Sequence, residues 1–292
     1  RLVPAEDTVE QTNEVPEEII QEMRELGLFG LSIPEEYGGL GLNMEQECGI
    51  IHELCQASLS FRSVIGTTVG IGSQGLVMTG TEEQKQQYLP RLATGEISSS
   101  FCLTEPDAGS DAASLRTTAI RDGDDYVLNG TKRYITNALR AGMLTVMART
   151  NPDKKGASGV SAFVVDPATP GITIANADEK MGQRGTKTSD VIFEDVRVPA
   201  NTLLGGVEGQ GFYTAMKVLD RGRLHLSSVS TGISERILEE ALNYAAERKQ
   251  FGQAIGDFQL VQAMLADSQA DLYAGKCMTQ DAARRFDTGE QI

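Results

Sequence analysis

The hydrophobic period of this 292-residue chain changes twice, and that restricts the fold more than any single residue does. Residues 1 to about 96 carry helical spacing. Ile19, Met23 and Leu26 fall on one face of the segment 15–26, and Gly27 follows where a C-terminal cap is expected. The loop Ile33-Pro-Glu-Glu-Tyr-Gly-Gly-Leu-Gly41 is turn chemistry, a second helix is expected over 44–58, and Thr81-Glu-Glu-Gln84 opens another with a capping-box pattern. From about 97 the pattern switches to period two. The segment 115–121 meets 126–128 across Asp122-Gly-Asp-Asp125, and Asn129-Gly130 predicts a further turn into 132–136. The segments 143–150, 160–166, 171–175 and 189–198 add four more strands. From about 208 helical spacing returns, over 210–230, 233–248 and 259–286. The expectation is an α+β chain in three parts: an N-terminal helical domain (1–96), a middle antiparallel β-barrel or sandwich domain (97–207) and a partial C-terminal helical bundle (208–292). Two long helices and part of a third cannot cover their apolar faces alone. Further chain is therefore expected beyond the helix exit Asp287-Thr-Gly-Glu-Gln-Ile292.

Charge and composition remove several function classes. With 26 basic and 41 acidic residues the formal net charge is −15, and no Lys/Arg run interrupts it, so a nucleic-acid partner is not expected. Cys48, Cys55, Cys102 and Cys277 are scattered without a CxxC pair, which reads as four reduced thiols, each a small buried hydrophobe, and not as a disulfide framework or a zinc site. His52 and His225 are the only histidines; His52-Glu-Leu-Cys-Gln56 departs from HExxH at its fifth position, so His52 is read as a structural helix residue and no metal site is expected. No run of about 18 apolar residues occurs, so no membrane span is expected. The opening Arg1-Leu-Val-Pro4 has no Met and no signal-peptide pattern. Gly70-Ile-Gly-Ser-Gln-Gly75 matches GxGxxG, but Gly80 stops the segment and Thr81 caps a new helix. A dinucleotide site needs a helix that runs on, so this segment is read as small-residue packing or the lining of a ligand slot.

The chemistry is concentrated in two short segments. Phe101-Cys-Leu-Thr-Glu-Pro-Asp-Ala-Gly-Ser-Asp111 is an apolar run that enters a tight turn, where successive amides and the Ser110 hydroxyl can hold an anion. Tyr134-Ile-Thr-Asn137 puts an aromatic ring, a hydroxyl and an amide within four residues, which suits a flat heteroaromatic cofactor with polar edges.

These segments resemble the flavin-binding segments of the acyl-CoA dehydrogenase family. Further pieces match in order along nearly the whole chain: 33–41, Lys180-Met-Gly-Gln-Arg184, 191–199, 206–212 and Glu247-Arg-Lys-Gln-Phe-Gly252. The resemblance implies an acyl-CoA dehydrogenase of fatty acid metabolism, with FAD as cofactor. It implies α,β-desaturation of an acyl-CoA thioester, with hydride passed to flavin N5 and electrons to an electron-transfer flavoprotein. Leu103 and Thr104 would contact the isoalloxazine, and Gly109 and Ser110 the cofactor or CoA phosphates. Tyr134 would shield one ring face where many relatives have Trp, and Thr136 would hydrogen-bond near N5. Taken singly, Thr104 and Thr136 also read as ordinary strand threonines.

Arg248 and Phe251 resemble positions that reach the FAD of a neighbouring subunit, with Gln259 beside its adenosine end, which implies a homo-oligomer, a dimer or homotetramer. Asp220 and Arg223 would hold the CoA part of the substrate, with Ser110. Most relatives take the catalytic base from a Glu in a loop past Ile292. A minority carry it at the position occupied here by Gly222, so the base is expected beyond Ile292; Glu105, before Pro106 at a turn, reads as structural. A flavin oxidase or monooxygenase of the same fold, and a non-catalytic flavoprotein scaffold, are the alternative readings. The implied location is cytoplasmic in a bacterium or the mitochondrial matrix in a eukaryote.

Overall fold

A computed structural model describes residues 1–290, so Gln291 and Ile292 of the expected helix exit lie outside the described residues. In chain order the helices are α1 (Glu6–Thr12), α2 (Glu17–Glu25), α3 (Met44–Leu54), α4 (Leu59–Gly66), α5 (Gln74–Thr79), α6 (Glu82–Ala93), α7 (Gly211–Glu247) and α8 (Gln259–Asp287). The strands are β1 (Ser98–Cys102), β2 (Thr118–Asp122), β3 (Asp125–Thr136), β4 (Ala141–Arg149), β5 (Val160–Val165), β6 (Ile172–Ile174), β7 (Thr188–Pro199), β8 (Lys249–Gln250) and β9 (Gln253–Ala254). Backbone contacts divide the chain into two compact units. One holds 7–42 and 63–222, and the other 1–6, 43–62 and the residues from 223 on.

The first unit is built on a seven-stranded sheet in the order β1-β4-β2-β3-β7-β6, with β5 also paired to β4. The expected α–β–α class stands, with one refinement: the sheet is mixed, because β1 and β2 each run parallel to β4. Alternation along β4 and β5 supplies two cores. Met143, Met147, Val160, Ala162 and Val164 pack with Leu76, Leu89 and Leu92 of α5 and α6, whereas Leu144, Val146, Phe163 and Val165 pack with Tyr126 and Leu128 of β3. The Thr81 capping box forms as expected: Gln84 N–H donates to Thr81 Oγ1 (3.3 Å) and Thr81 N–H to Gln84 Oε1 (3.1 Å). Gly27 takes the left-handed conformation after α2, at φ 72°.

The β2–β3 hairpin turns at Asp122–Asp125 as the sequence predicts. Asn129-Gly130 does not turn the chain. β3 runs straight through it, and the register against β7 slips there. Asn129 spends its amide on β7, accepting from Asp195 N–H (2.8 Å) and donating to Asp195 Oδ1 (3.1 Å). Gly130 has φ 148°, and a Cβ on it would lie 2.5 Å from Thr117 Oγ1, so the dipeptide marks a bulge with a close backbone neighbour. The GxGxxG segment is helical, a wide π turn over Thr67–Gly72 followed by α5. It packs on the sheet through Thr68 Oγ1, which accepts from Ser99 N–H (3.1 Å), and through the Gly72 carbonyl, which accepts from Thr145 Oγ1 (3.1 Å).

The helices expected over 210–230 and 233–248 are one continuous helix, α7, whose residues from 223 on belong to the second unit. Gly232 looks like a stop in sequence but serves close approach: a Cβ there would sit 2.3 Å from the His52 carbonyl oxygen of α3. Charged side chains tie the three helices. Asp287, the last residue of α8, accepts from the free amides of Met44 (2.7 Å) and Glu45 (3.0 Å) at the start of α3. His52 bridges Thr231 Oγ1 (3.1 Å) and Glu235 (2.5 Å), which also pairs with Lys276 (2.9 Å). The structural reading of His52 stands. Cys48, Cys55 and Cys102 are buried, but Cys277 is exposed on α8, a correction to the expectation of four buried thiols. Leu226, Ile237, Leu242 and Met264 remain exposed along α7 and α8. No helix of the described residues is long and apolar enough to cross a membrane.

Gly232→Ala separates propensity from packing. In an open helix the change stabilises by about 1 kcal/mol. Here the methyl group meets a backbone carbonyl, and overpacking costs ~1–3 kcal/mol. Net destabilisation in urea unfolding is expected, and a gain would remove the close α3–α7 approach.

Candidate functional site

The two chemistry-bearing segments meet at one edge of the sheet. The chain leaves β1 through Leu103-Thr104-Glu105, beside the end of β3. Arg133 N–H donates to the Thr104 carbonyl (2.8 Å), and Ser100 Oγ to the Thr136 carbonyl (2.8 Å). Between these bonds β3 breaks register, with a shift between Lys132 and Ile135. Up to Lys132 the inward residues are Tyr126, Leu128 and Lys132; past the shift the inward residue is Ile135, so the side-chain parity flips. Tyr134 takes φ 58° and Asn137 φ 61°, conformations that cost about 1–3 kcal/mol each in a non-glycine residue. Asn137 is buried, and its amide donates to the Ser63 carbonyl (2.8 Å) and Thr67 Oγ1 (2.9 Å), which holds that end of the irregularity. The Tyr134 ring projects outward, 58 % exposed, with the Arg133 guanidinium 5.1 Å from its centroid.

Beneath this edge lies an ion pair that is closed to solvent. Lys132 Nζ donates to Glu105 Oε1 (2.7 Å) and to the Leu103 carbonyl (3.2 Å). Glu105 also accepts from Thr117 Oγ1 (2.6 Å), Thr117 N–H (3.0 Å) and Arg116 N–H (2.6 Å). Burial pushes the Glu105 carboxyl upward, but the Lys132 ammonium and these donors outweigh it and hold the group below the usual carboxylate range. Burial pulls the Lys132 ammonium down, against the attraction of Glu105. The neighbouring Cys102 thiol is pushed up to about 12 by burial, which makes it inert. The structural reading of Glu105 fits these contacts.

Above the pair, Glu105 and Ala108 exchange backbone hydrogen bonds (3.0 and 3.2 Å) and close a tight turn that leaves Gly109 and Ser110 exposed. Among the described residues, the amides of Gly109 and Ser110 and the hydroxyls of Thr104, Ser110 and Thr136 have no hydrogen-bond partner. A row of open donors beside an exposed aromatic ring is the chemistry that a ligand with anionic and flat aromatic parts requires, so these residues fit FAD. Leu103, Thr104, Gly109, Ser110, Tyr134 and Thr136 all lie in the first unit, and the hydrogen bonds above join the strand ends that carry them. Asp220 is exposed on α7 in that unit, and Gly222 packs near Ile71. Arg223, Arg248, Phe251 and Gln259 belong to the second unit and are exposed. Phe251-Gly252 forms the two-residue turn between β8 and β9, both at positive φ (52° and 84°), and Phe251 is 95 % exposed, with its ring edge-on to Phe258 at 6.3 Å. Sequence reasoning missed Lys132. Its inward parity with Tyr126 and Leu128 becomes a signal only because β3 continues through Gly130.

Three family models together span nearly all of the chain: "Acyl-CoA dehydrogenase, N-terminal domain" matches residues 1–96, the middle-domain model 100–196 and the C-terminal-domain model 209–292. The chain belongs to the acyl-CoA dehydrogenase family. It is 43 % identical to the probable acyl-CoA dehydrogenase YngJ of Bacillus subtilis, over 97 % of this chain and 74 % of that protein. It is 41 % identical to the caffeyl-CoA reductase-Etf complex subunit CarC of Acetobacterium woodii, over 96 % of this chain and 74 % of that one. Among solved structures, a glutaryl-CoA dehydrogenase from Mycobacterium smegmatis in complex with FADH2 superposes with a TM-score of 0.92 at 32 % identity, covering all of this chain and 73 % of that one. The family is one of flavoprotein oxidoreductases, so the expectation of an enzyme with that fold stands.

Glu105→Gln leaves the Lys132 ammonium buried without its counter-charge, so a loss of about 3–5 kcal/mol is expected in denaturant unfolding near neutral pH. Because the folded carboxyl titrates below its unfolded value, its contribution is complete above the unfolded value and is lost as pH falls through the folded one. The gap between wild type and variant should therefore narrow in acid; a gap that widens contradicts the pairing.

Proposed function

We infer that this protein is a FAD-dependent acyl-CoA dehydrogenase that desaturates the α,β bond of an acyl-CoA thioester and passes electrons to an electron-transfer flavoprotein. The observation that carries the reading is the edge where β1 and β3 end, with its open donors and the exposed Tyr134 ring. When bound, FAD supplies the two-electron acceptor for such a reaction. Leu103 and Thr104 line the isoalloxazine, Tyr134 covers one of its faces, and Thr136 donates to its polar edge. Gly109 and Ser110 bind phosphate oxygens of cofactor or CoA through their amides and the Ser110 hydroxyl.

Asp220 and Arg223 bind the CoA portion, and the Arg223 guanidinium suits a phosphate because its planar fork makes charge-assisted bonds. Arg248, Phe251 and Gln259 face the FAD of a second copy in a homo-oligomer, dimer or tetramer. An aromatic ring held almost fully exposed on a strained turn supports that role. The α-proton is weakly acidic, so its base must be a carboxylate with a raised pKa in a dry pocket. Glu105 does not supply it, being tied to Lys132, and Gly222 on α7 has no side chain. The base is a Glu outside residues 1–292. The division at 96/97 and 207/208 and a cytoplasmic or mitochondrial-matrix location belong to the same proposal.

A second reading has one specific observation behind it: a relative as similar as CarC is named a subunit of a caffeyl-CoA reductase-Etf complex. The same edge then serves the reverse direction, reduction of an α,β-unsaturated acyl-CoA.

Anaerobic titration of the FAD-loaded protein with a panel of saturated acyl-CoAs tests both. Loss of the flavin's visible absorbance with one chain class is expected. Absorbance that only an unsaturated acyl-CoA changes, after prior reduction, supports the reductase direction. A flavin that responds to neither overturns the enzymatic reading.

A further inference from the structure

We propose that the buried Lys132–Glu105 pair is a positioning pair, which fixes Leu103-Thr104 against the irregular segment Arg133–Thr136 and so sets the spacing of the donors offered to the flavin. The proposal rests on the FAD reading above but concerns residues that touch neither cofactor nor substrate.

Two side chains gather bonds from every segment that borders the edge. Lys132 Nζ holds the Leu103 carbonyl at the exit of β1, and Glu105 holds both Arg116 and Thr117 at the entry to β2. The Thr117 carbonyl in turn accepts from Arg149 N–H of β4 (2.7 Å). Lys132 is the last residue before the register shift, so the irregular stretch starts from a fixed point; Asn137 fixes its other end. Between the anchors, the backbone bond from Arg133 N–H to the Thr104 carbonyl joins the two flavin-facing strands. Stability alone does not require charge here, because an apolar pair of similar volume is often as stable as a buried ion pair. What the pair adds is direction: a carboxylate accepting four bonds and an ammonium reaching a single carbonyl specify one arrangement of the loop, which apolar contacts do not.

The test uses the full-length protein with Lys132→Met/Glu105→Gln, which removes both charges together, and with Thr117→Val, which removes only the hydroxyl donor to Glu105. Three readouts are FAD affinity, the visible flavin spectrum with its reduction potential, and hydrogen exchange of the Arg133 amide in the apoprotein. The double variant is expected to bind FAD roughly tenfold to a hundredfold more weakly, the range typical when partners that orient a site's binding groups are removed at metal centres. Its spectrum and potential should shift, and Arg133 should exchange faster; Thr117→Val should move all three less, in the same direction. A variant that loses thermal stability but keeps wild-type affinity, spectrum, potential and exchange shows a purely structural pair and overturns the proposal. If the double variant does not fold, Thr117→Val decides by the same criteria. If wild type takes up no FAD, the functional reading fails, and unchanged Arg133 exchange in the variants would then overturn the positioning claim separately.

Discussion

A lysine ammonium with no solvent access is the constraint around which the edge of the sheet is organised. Removing such a charge from water costs several kcal/mol unless partners replace the lost hydration, and no one partner is enough. Lys132 meets this with a carboxylate at 2.7 Å and a backbone carbonyl at 3.2 Å. The carboxylate is itself buried, and it is satisfied only because Arg116 and Thr117 donate to it at the start of β2. Each step of this neutralisation draws in another strand. The Thr104–Glu105 turn, the entry to β2 and the register shift in β3 therefore stand or fall together, and the exposed donors of the site ride on them.

Much of the architecture was legible because it rests on local rules. The change of hydrophobic period located the sheet, the Thr81 and Gly27 caps formed where their residue types require, and the hairpin at Asp122–Asp125 closed as its composition predicts. Two of the misreadings share a cause: each concerned a residue whose role is set by a distant neighbour. Asn129-Gly130 carries a strong turn signal, yet Asn129 bonds to Asp195, and Thr117 leaves no room for a Cβ at position 130. Gly232 looks like the end of a helix until the His52 carbonyl is seen against it. Cys277 is exposed on α8 whereas the other three cysteines are buried, a difference that spacing alone does not reveal.

The site was legible to the extent that its chemistry sits in contiguous motifs. Thr104, Gly109, Ser110, Tyr134 and Thr136 could be named because a tight turn and an aromatic-hydroxyl-amide run are visible in the sequence. What supports them was not visible. Lys132 reads as a strand residue beside an arginine, and its inward parity counts only once β3 is known to run unbroken through Gly130. The strain at Tyr134 is equally non-local. A tyrosine at φ 58° persists because Lys132 on one side and Asn137 on the other are each held by buried partners.

The net charge of −15 sets a last condition on an edge meant for anionic ligands. Taken as a whole, the surface opposes a phosphate-bearing cofactor or thioester. The opposition is short-ranged, because at physiological ionic strength exposed charges are screened beyond about 8 Å. Within that radius, what decides is the set of donors that need no reorganisation to meet an anion. The amides of Gly109 and Ser110 are already turned out of the chain's own hydrogen bonding. Of the carboxylates that flank these amides, Asp107 and Asp111 are exposed, with Asp107 paired to Arg116 (3.1 Å), and Glu105 has its charge neutralised beneath the edge by Lys132. The ion pair thus does two things with one geometry: it fixes the backbone that carries the donors, and it neutralises one of the three carboxylates near them, leaving Asp107 and Asp111 to the solvent.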